Sequence, residues 1–584
     1  MISSSTKLRS PWFHFCLIAF LIALAYSNTL SVPFHFDDTL NIVNNPQVKD
    51  LANFWPPAGN RWFGYLTFAL NYEINGLDTA GYHLVNIAIH IATAFLLYWL
   101  VLMTFRTPYF SPPGKAATEQ LTREHSYAAL FSALLFSVHP IQTQAVTYIV
   151  QRFASLAACF YLLSLATYIQ ARLLSQQEAP KRSLIWSLYA ASLLAAGLAT
   201  QTKETAFTLP AVVLLFELSF FRDQSGRDKK FRKLGIYLSL LIAAAVIGLL
   251  AITDFGRNEN AFAATNEISR HDYLLTQFRV LVTYIRLLFI PVHQSIDYYY
   301  PLSTTLTEPA VLISLLLLAV ILVTAVVLFR RSSAPADPRR LIAFGIFWFF
   351  ITLSVESSII PIADVIFEHR LYLPSMGASI AVVMTARLVL DSVRKRYHAA
   401  AAIAVLSGTI VVLLLSTAAY LRNTAWQSEI SLWEDAAAKF PDDARAFNML
   451  GTLYGRNGNR PAATNAYRTA IALKPSYAEA HVNLGNSYSD EGRLDDAMTE
   501  YLIAVQLNNL DAIDTAGLLV NMGNTYLKKG LPDIAIDLYS RAVQMMPNEA
   551  QVHFLLGNAY QMKGMNIQAV EQFRTAHQLD PDRF

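Results

Sequence analysis

Cysteine is nearly missing from this chain, with two in 584 residues. Cys16 and Cys159 both lie in apolar runs, which excludes a disulfide framework and a cysteine-based metal site. Charge is scarce as well: Asp, Glu, Lys and Arg make up 15% of residues, and 45 basic groups nearly cancel 42 acidic ones. Such a balance offers no basic surface for nucleic acid. What is plentiful is apolar, at 54% of residues with a mean hydropathy of +0.34. A chain of this length that is so greasy and so sparsely charged is a polytopic membrane protein.

Residues 11–30 carry no charge and are long enough to cross a hydrocarbon core of about 30 Å at a helical rise of about 1.5 Å per residue. The run is too long for a signal peptide and lacks a small-residue cleavage site, so a retained helix is expected. Further spans are expected at 82–105, 126–139, 153–172, 184–200, 205–221, 234–253, 309–329, 341–356, 371–390 and 399–421, eleven in all. Lys and Arg mark the cytoplasmic side of a membrane protein. With the N-terminus inside, they fall at Arg106 to Arg123, Arg172 to Arg182, 221–233, Arg330 to Arg340 and Arg394 to Arg396, and the alternation closes. It closes only if 274–292 is not a span. Arg279 and Arg286 stand seven residues apart there on one helical face, which suits a helix lying in the interface with its cations toward headgroups.

The non-cytoplasmic segments then collect most of the unusual polar residues. Phe34-His35-Phe36-Asp37-Asp38 follows the first span, and two adjacent carboxylates at an interface disfavour each other's ionisation. The same side holds Arg61, the corner from His139 to Arg152, Lys203-Glu204 between two spans, and Asp364 to Arg370. An ionisable residue at that depth needs a partner or a ligand, and the simplest partner for Lys203 is Glu204. His139, before a proline at a helix end, reads as a cap or a packing residue.

Beyond residue 421 the chain repeats. Gly451, Gly485, Gly523 and Gly557 are 34, 38 and 34 residues apart, each followed three residues later by Tyr. Ala470, Ala504, Ala542 and Ala576 keep the same register, as do Pro441, Pro475, Pro547 and Pro581. This is the 34-residue tetratricopeptide pattern, in which Gly and Ala permit close helix contact and Tyr467, Tyr501, Tyr539 and Phe573 fill the gaps. The four-residue excess between the second and third repeats is expected as a loop insertion at 508–517. Two domains are expected: 1–425 in the membrane and 426–584 as an α-solenoid, the whole all-α.

The ordered set FHFDD, GYHLVNIAIH from Gly81, LLFSVHPIQTQAV from Leu134, TKE at 202–204 and EHRLYLPSMG from Glu368, with C-terminal repeats, resembles the transmembrane and tetratricopeptide repeat O-mannosyltransferases. It is similar also to their bacterial relatives in the GT-C superfamily. The resemblance implies a glycosyltransferase that moves a sugar from a polyprenyl phosphate to Ser or Thr hydroxyls of an extracytoplasmic protein. It places catalysis at Asp37 and Asp38 and sets 274–292 in the position of an interfacial helix shaping the site. One aspartate accepts the hydroxyl proton, with Asp37 the choice, and the other orients. Arg370, Lys203 and Arg152 are the candidates for the lipid phosphate. Arg61, His139, Glu204, Glu368 and His369 are further site candidates.

The concave face of the repeats near Asn448, Asn483 and Asn521 is the expected acceptor dock. No cofactor is expected, although a divalent cation would fit if Glu368 and Asp364 folded toward the two aspartates. The setting expected is a bacterial inner membrane with the N-terminus cytoplasmic and the repeats periplasmic, or lumenal in a eukaryote. A membrane-anchored scaffold for envelope assembly and a transporter of lipid-linked glycans are the alternatives; eleven spans are excessive for an anchor, and the polar residues gather at one face rather than at the midplane.

Overall fold

The computed structural model describes residues 11–111, 121–177, 179–221, 268–357, 361–362, 364–394, 396–397 and 399–584. It divides into two compact units, Met1–Ser428 and Glu429–Phe584, and no strand occurs among the described residues.

The first unit is built from helices α1 (Pro11–Ala25), α2 (Trp62–Asn75), α3 (Thr79–Thr104), α4 (Arg123–Ser137), α5 (Thr143–Thr147), α6 (Arg152–Ser175), α7 (Arg182–Thr200) and α8 (Leu209–Phe220). After residues 222–267 it continues with α9 (Arg270–Phe289), α10 (Pro309–Arg331), α11 (Arg339–Leu353), α12 (Pro374–Arg394) and α13 (Ala400–Thr424). Among the described residues, seven helical segments are long and apolar enough to cross a membrane: Pro11–Thr29, Thr79–Thr104, Ile149–Ser175, Arg182–Thr200, Pro309–Arg331, Pro374–Arg394 and Ala400–Gln427. The spans expected at 126–139, 205–221 and 341–356 fold as α4, α8 and α11, of 15, 12 and 15 residues. At about 1.5 Å per residue these fall short of a 30 Å core. The span expected at 234–253 lies outside the described residues.

Side chains from α1, α3, α4, α6, α7, α8, α11, α12 and α13 share one apolar core, with Tyr161, Phe216, Trp348 and Met376 inside it. By contrast α10 and α13 leave Ile313, Leu316, Val323, Leu406 and Leu414 exposed on helices without polar faces. Those are surfaces for lipid, since water would not tolerate so much contiguous apolar area.

Two features tie the bundle internally. Arg172 of α6 forms a fully buried two-pronged pair with Glu217 of α8, at 2.6 and 3.1 Å, and the Tyr168 hydroxyl donates to the same carboxylate at 2.8 Å. Between α11 and α12, Gly345 and Gly377 let the backbones meet. A Cβ on Gly345 would lie 2.4 Å from the Gly377 carbonyl oxygen, which is the close approach that small residues grant membrane helices.

The second unit consists of α14 (Glu429–Lys439), then the pairs α15 (Ala444–Arg456) and α16 (Arg460–Leu473), α17 (Ala478–Asp490) and α18 (Leu494–Leu507), α19 (Ala512–Lys528) and α20 (Pro532–Met545), α21 (Ala550–Met562) and α22 (Asn566–Leu579). In each pair the glycine faces an aromatic ring: a Cβ would lie 2.5 Å from Tyr467 at Gly451 and from Tyr501 at Gly485, and 2.6 Å from Tyr539 at Gly523 and from Phe573 at Gly557. The four-residue excess is not a loop insertion. Helix α19 has 17 residues where α15, α17 and α21 have 13, so the extra residues form one more helical turn, capped by Asp511, whose side chain accepts the Asp514 amide at 2.8 Å.

Candidate functional site

The polar segments between the long helices of the first unit are joined to one another by hydrogen bonds. Asp38 is 1% exposed, and its two oxygens accept from separate stretches of backbone: Oδ2 from the His35 amide at 3.0 Å and Oδ1 from the Val150 amide at 2.7 Å. Burial pushes its carboxyl up to about 8, against the lowering pull of those two donors. Asp38 thus pins the acidic corner to the start of the segment that runs into α6. Asp37, one residue earlier, is exposed. Its amide donates to the Tyr148 hydroxyl at 2.9 Å, and its carbonyl accepts from Asn41 at 2.8 Å. Phe36, immediately before them, turns the chain with a φ of +42°, in the left-handed region that costs a bulky residue roughly 1–3 kcal/mol.

Arg61, also left-handed at φ +57°, opens α2 and forms a two-pronged pair with Glu204 at 3.1 and 3.0 Å. Burial alone would raise the Glu204 carboxyl, but the Arg61 charge and hydrogen bonds bring it below its ordinary value. The amide of Phe63 donates to the Gln201 carbonyl at 3.2 Å, fastening α2 to the corner after α7. Helix α2 lies inside a stretch read from the sequence as loop, although WFGYLTFALNY has an aromatic-rich helical face. Tyr65 on this helix donates to Asn41 at 2.6 Å and lies in the field of Arg61, Asp37 and Glu204, which makes it the link between the acidic corner and the ion pair.

Lys203 does not pair with Glu204. Its Nζ lies 2.8 Å from Oε1 of Glu356, a residue at the end of α11 that the sequence reading counted within a span. An acid at the edge of an apolar run is the signal that marks it. The His369 ring is held well below its ordinary value, by burial first and then by the charges of Lys203, Arg370 and Arg61, and is therefore neutral. Its backbone amide donates to Gln144 at 2.8 Å. Arg370 is buried and donates to the carbonyls of Val365 and Asp364 at 3.1 and 2.8 Å. Arg61, Lys203, Glu204, Glu356, His369 and Arg370 therefore make one mixed-charge cluster, reached from Asp37 through Tyr65.

Two expectations change, those for Arg152 and Glu368. Arg152 is fully buried: Nε donates to Asn86 at 2.7 Å, Nη1 to the Thr67 carbonyl at 3.1 Å and Nη2 to the Tyr82 carbonyl at 3.0 Å, with Phe68 stacked 4.5 Å away. With every nitrogen engaged it is a strut joining α2, α3 and α6, not a hook for phosphate. Glu368 is committed to other partners. Its carboxylate, buried and raised by that burial, accepts from Gln294 at 2.7 Å, the Ser295 amide at 2.9 Å and Tyr298 at 2.6 Å. His139 caps the turn that follows it, Nδ1 accepting the Ile141 amide at 3.1 Å while Nε2 donates to the Leu288 carbonyl at 3.1 Å. Both nitrogens are used.

On α9, Arg279 donates to Pro301 and Ser303, and Arg286 to the Val292 carbonyl, so both cations hold the following loop rather than stand free toward headgroups. Among the described residues no group of three or more His, Cys, Asp or Glu is placed to hold a metal ion, and Asp37, Asp38, Asp364 and Glu368 assemble none. In the repeats, Asn448 is buried, its side chain accepting from Asn483 at 3.0 Å, whereas Asn483 and Asn521 are half-buried.

These observations define an integral membrane protein with a polytopic helical unit, a polar cluster gathered from its loops, and a tetratricopeptide α-solenoid. Residues 448–512 and 520–583 match the tetratricopeptide repeat family. Most of the chain is similar to proteins named as O-mannosyl-transferases. It is 26% identical over 488 residues to the Protein O-mannosyl-transferase F38B6.6 of Caenorhabditis elegans, covering 79% of this chain and 62% of that one. It is 24% identical over 536 residues to the Protein O-mannosyl-transferase TMTC3 of Homo sapiens, covering 84% and 54%. The chain thus spans little more than half the length of these relatives. Among solved structures, the crystal structure of MamA is 23% identical over 26% of this chain and 88% of that one, with a TM-score of 0.24.

Proposed function

We propose that this chain is a GT-C-type glycosyltransferase that moves a sugar, mannose by analogy with its relatives, from a polyprenyl phosphate to Ser or Thr hydroxyls of an extracytoplasmic protein. The observation that carries the reading is an exposed Asp37 linked through Tyr65 to a cluster holding Lys203, Arg61 and Arg370, in a chain related along most of its length to proteins named O-mannosyl-transferases.

The roles follow from accessibility. Asp38 has both oxygens committed to backbone amides, so it positions; Asp37 is free to accept the acceptor hydroxyl's proton. The hydroxyl oxygen bonds to the anomeric carbon as the bond to the phosphate oxygen breaks, and the electron pair leaves with the polyprenyl phosphate. Lys203 and Arg370 stabilise that departing charge, Lys203 by exchanging Glu356 for phosphate. The basic ends at Arg106, Arg330 and Arg394 support a site opposite the cytoplasm, as the excess of Lys and Arg on the cytoplasmic side would have it. With the last span crossing outward, the repeats lie on the acceptor's side, where they select the protein to be modified.

The test is transfer in proteoliposomes from radiolabelled polyprenyl-phosphate mannose to unfolded secretory protein. Label in Ser or Thr of the acceptor is expected from the wild type and none from Asp37→Asn. Equal transfer by both would remove Asp37 as the base, and no transfer by either would remove the enzyme reading.

A further inference from the structure

Lys203 and Glu356 neutralise each other through one carboxylate oxygen only. Oε1 of Glu356 takes the lysine at 2.8 Å, while Oε2 is buried and has no hydrogen-bond partner among the described residues. Two more polar atoms share that condition: Oγ of Ser357, the next residue, and Nδ1 of His369, whose ring lies among Lys203, Arg370 and Arg61. The direction of the carboxylate is set by the fold, because the Glu356 carbonyl accepts the Tyr273 hydroxyl at 2.9 Å and holds the turn that ends α11. Buried acceptors without donors are rare in folded proteins and call for a partner.

The chemistry of the atoms narrows that partner. A second phosphate oxygen would be repelled by the carboxylate, and the described residues supply no set of ligands for a metal. A neutral His369 with its proton on Nε2 presents Nδ1 as an acceptor, so Glu356 and His369 together offer two acceptors beside a phosphate-binding cation. A group rich in hydroxyl donors and joined to a phosphate meets all of these conditions.

We propose that Glu356 and His369 read hydroxyls of the sugar on the lipid donor, with Glu356 the residue that sets donor specificity. Lys203 stands at the junction of sugar and phosphate, which gives the donor a fixed register in the site. This rests on the transferase reading above, and deepens it by assigning the sugar end of the donor to Glu356 and His369.

The experiment compares polyprenyl-phosphate mannose with its 2-, 3-, 4- and 6-deoxy analogues as donors, and measures binding of sugar-free polyprenyl phosphate separately. In the wild type, at least one deoxy donor should lose roughly 10- to 100-fold in kcat/KM, which is what a hydrogen bond to a charged group is worth. In Glu356→Gln and Glu356→Ala that penalty should shrink severalfold, while sugar-free polyprenyl phosphate binds as well as before or better, since Lys203 is released. The retained binding also reports that the variants fold. An unchanged penalty in both variants, or a loss of sugar-free lipid binding equal to the loss of transfer, would overturn the assignment and leave Glu356 as a holder of Lys203. Absence of transfer from every donor in the wild type would instead fell the transferase reading and this inference with it.

Discussion

Replacing Asp37 and Asp38 in turn should give opposite signatures, although the two residues are adjacent and chemically identical. Asp37→Asn keeps shape and backbone bonds and removes only the proton acceptor. Loss of a general base costs about 10²- to 10⁴-fold, or roughly 3–5 kcal/mol of barrier, in kcat/KM. The melting midpoint of the purified protein in detergent should hardly move, because Asp37 is exposed. Asp38→Ala strands the amides of His35 and Val150 in a buried site. At about 1–3 kcal/mol per orphaned donor, the corner loses roughly 2–6 kcal/mol. The midpoint should fall clearly, and activity with it. Asp38→Asn should lie between, since its carbonyl oxygen still accepts one amide.

The same residue predicts a pH dependence. Its folded value of about 8 lies above the ordinary 3.8, so between those limits the folded state holds the proton more tightly than the unfolded chain. The stabilisation is complete below about pH 4 and is lost as pH rises through about 8. Hydrogen exchange at the His35 and Val150 amides should therefore quicken from pH 5 to pH 8 beyond the intrinsic chemical rate in the wild type, and this excess should vanish in Asp38→Asn. A wild-type melting midpoint in Asp38→Ala, or full transfer by Asp37→Asn, would refute the division of roles.

Arg172→Met should destabilise the first unit by about 3–5 kcal/mol, because Glu217 remains buried with Tyr168 as its remaining donor, and adding Glu217→Leu should recover most of the loss; thermal shift of the single and double variants checks this. Gly377→Ala should lower the melting midpoint or the yield of folded protein, since its Cβ would lie 2.6 Å from the Gly345 carbonyl oxygen. In the repeats, Gly485→Ala should cost about 1–3 kcal/mol against the Tyr501 ring. Gly455→Ala, whose Cβ would meet only Ala463 at 3.8 Å, should be neutral or stabilising by up to about 1 kcal/mol, as proteolysis of the repeat unit in the full chain would report.

Sequence periodicity exposed the repeats because their spacing is itself the packing rule: one glycine and one aromatic per pair, in fixed register. It missed that the excess at 508–517 continues a helix, since inserting about one turn preserves the helical face and leaves no break to detect. In the first unit, the segments that carry the site were visible as polar islands between apolar runs. Their pairings were not. Lys203 and Glu204 are neighbours in the chain, yet each is matched by a residue more than a hundred positions away, Glu356 and Arg61. Adjacent side chains at a helix start diverge, and no local pattern encodes which distant loop supplies the partner. Arg152 looked like an exposed corner cation for the same reason: only folding shows that Asn86, Thr67 and Tyr82 surround it.

The glycine seam between α11 and α12 bears on what the loop joining them can do. Neither helix can slide, rotate or back away without losing a contact that has no room for a single carbon atom. Glu356 follows the end of one of these helices, and His369 and Arg370 precede the start of the other, so the seam fixes where the chain leaves α11 and where it enters α12. A crosslink between α11 and α12 that keeps this seam closed is expected to leave transfer running.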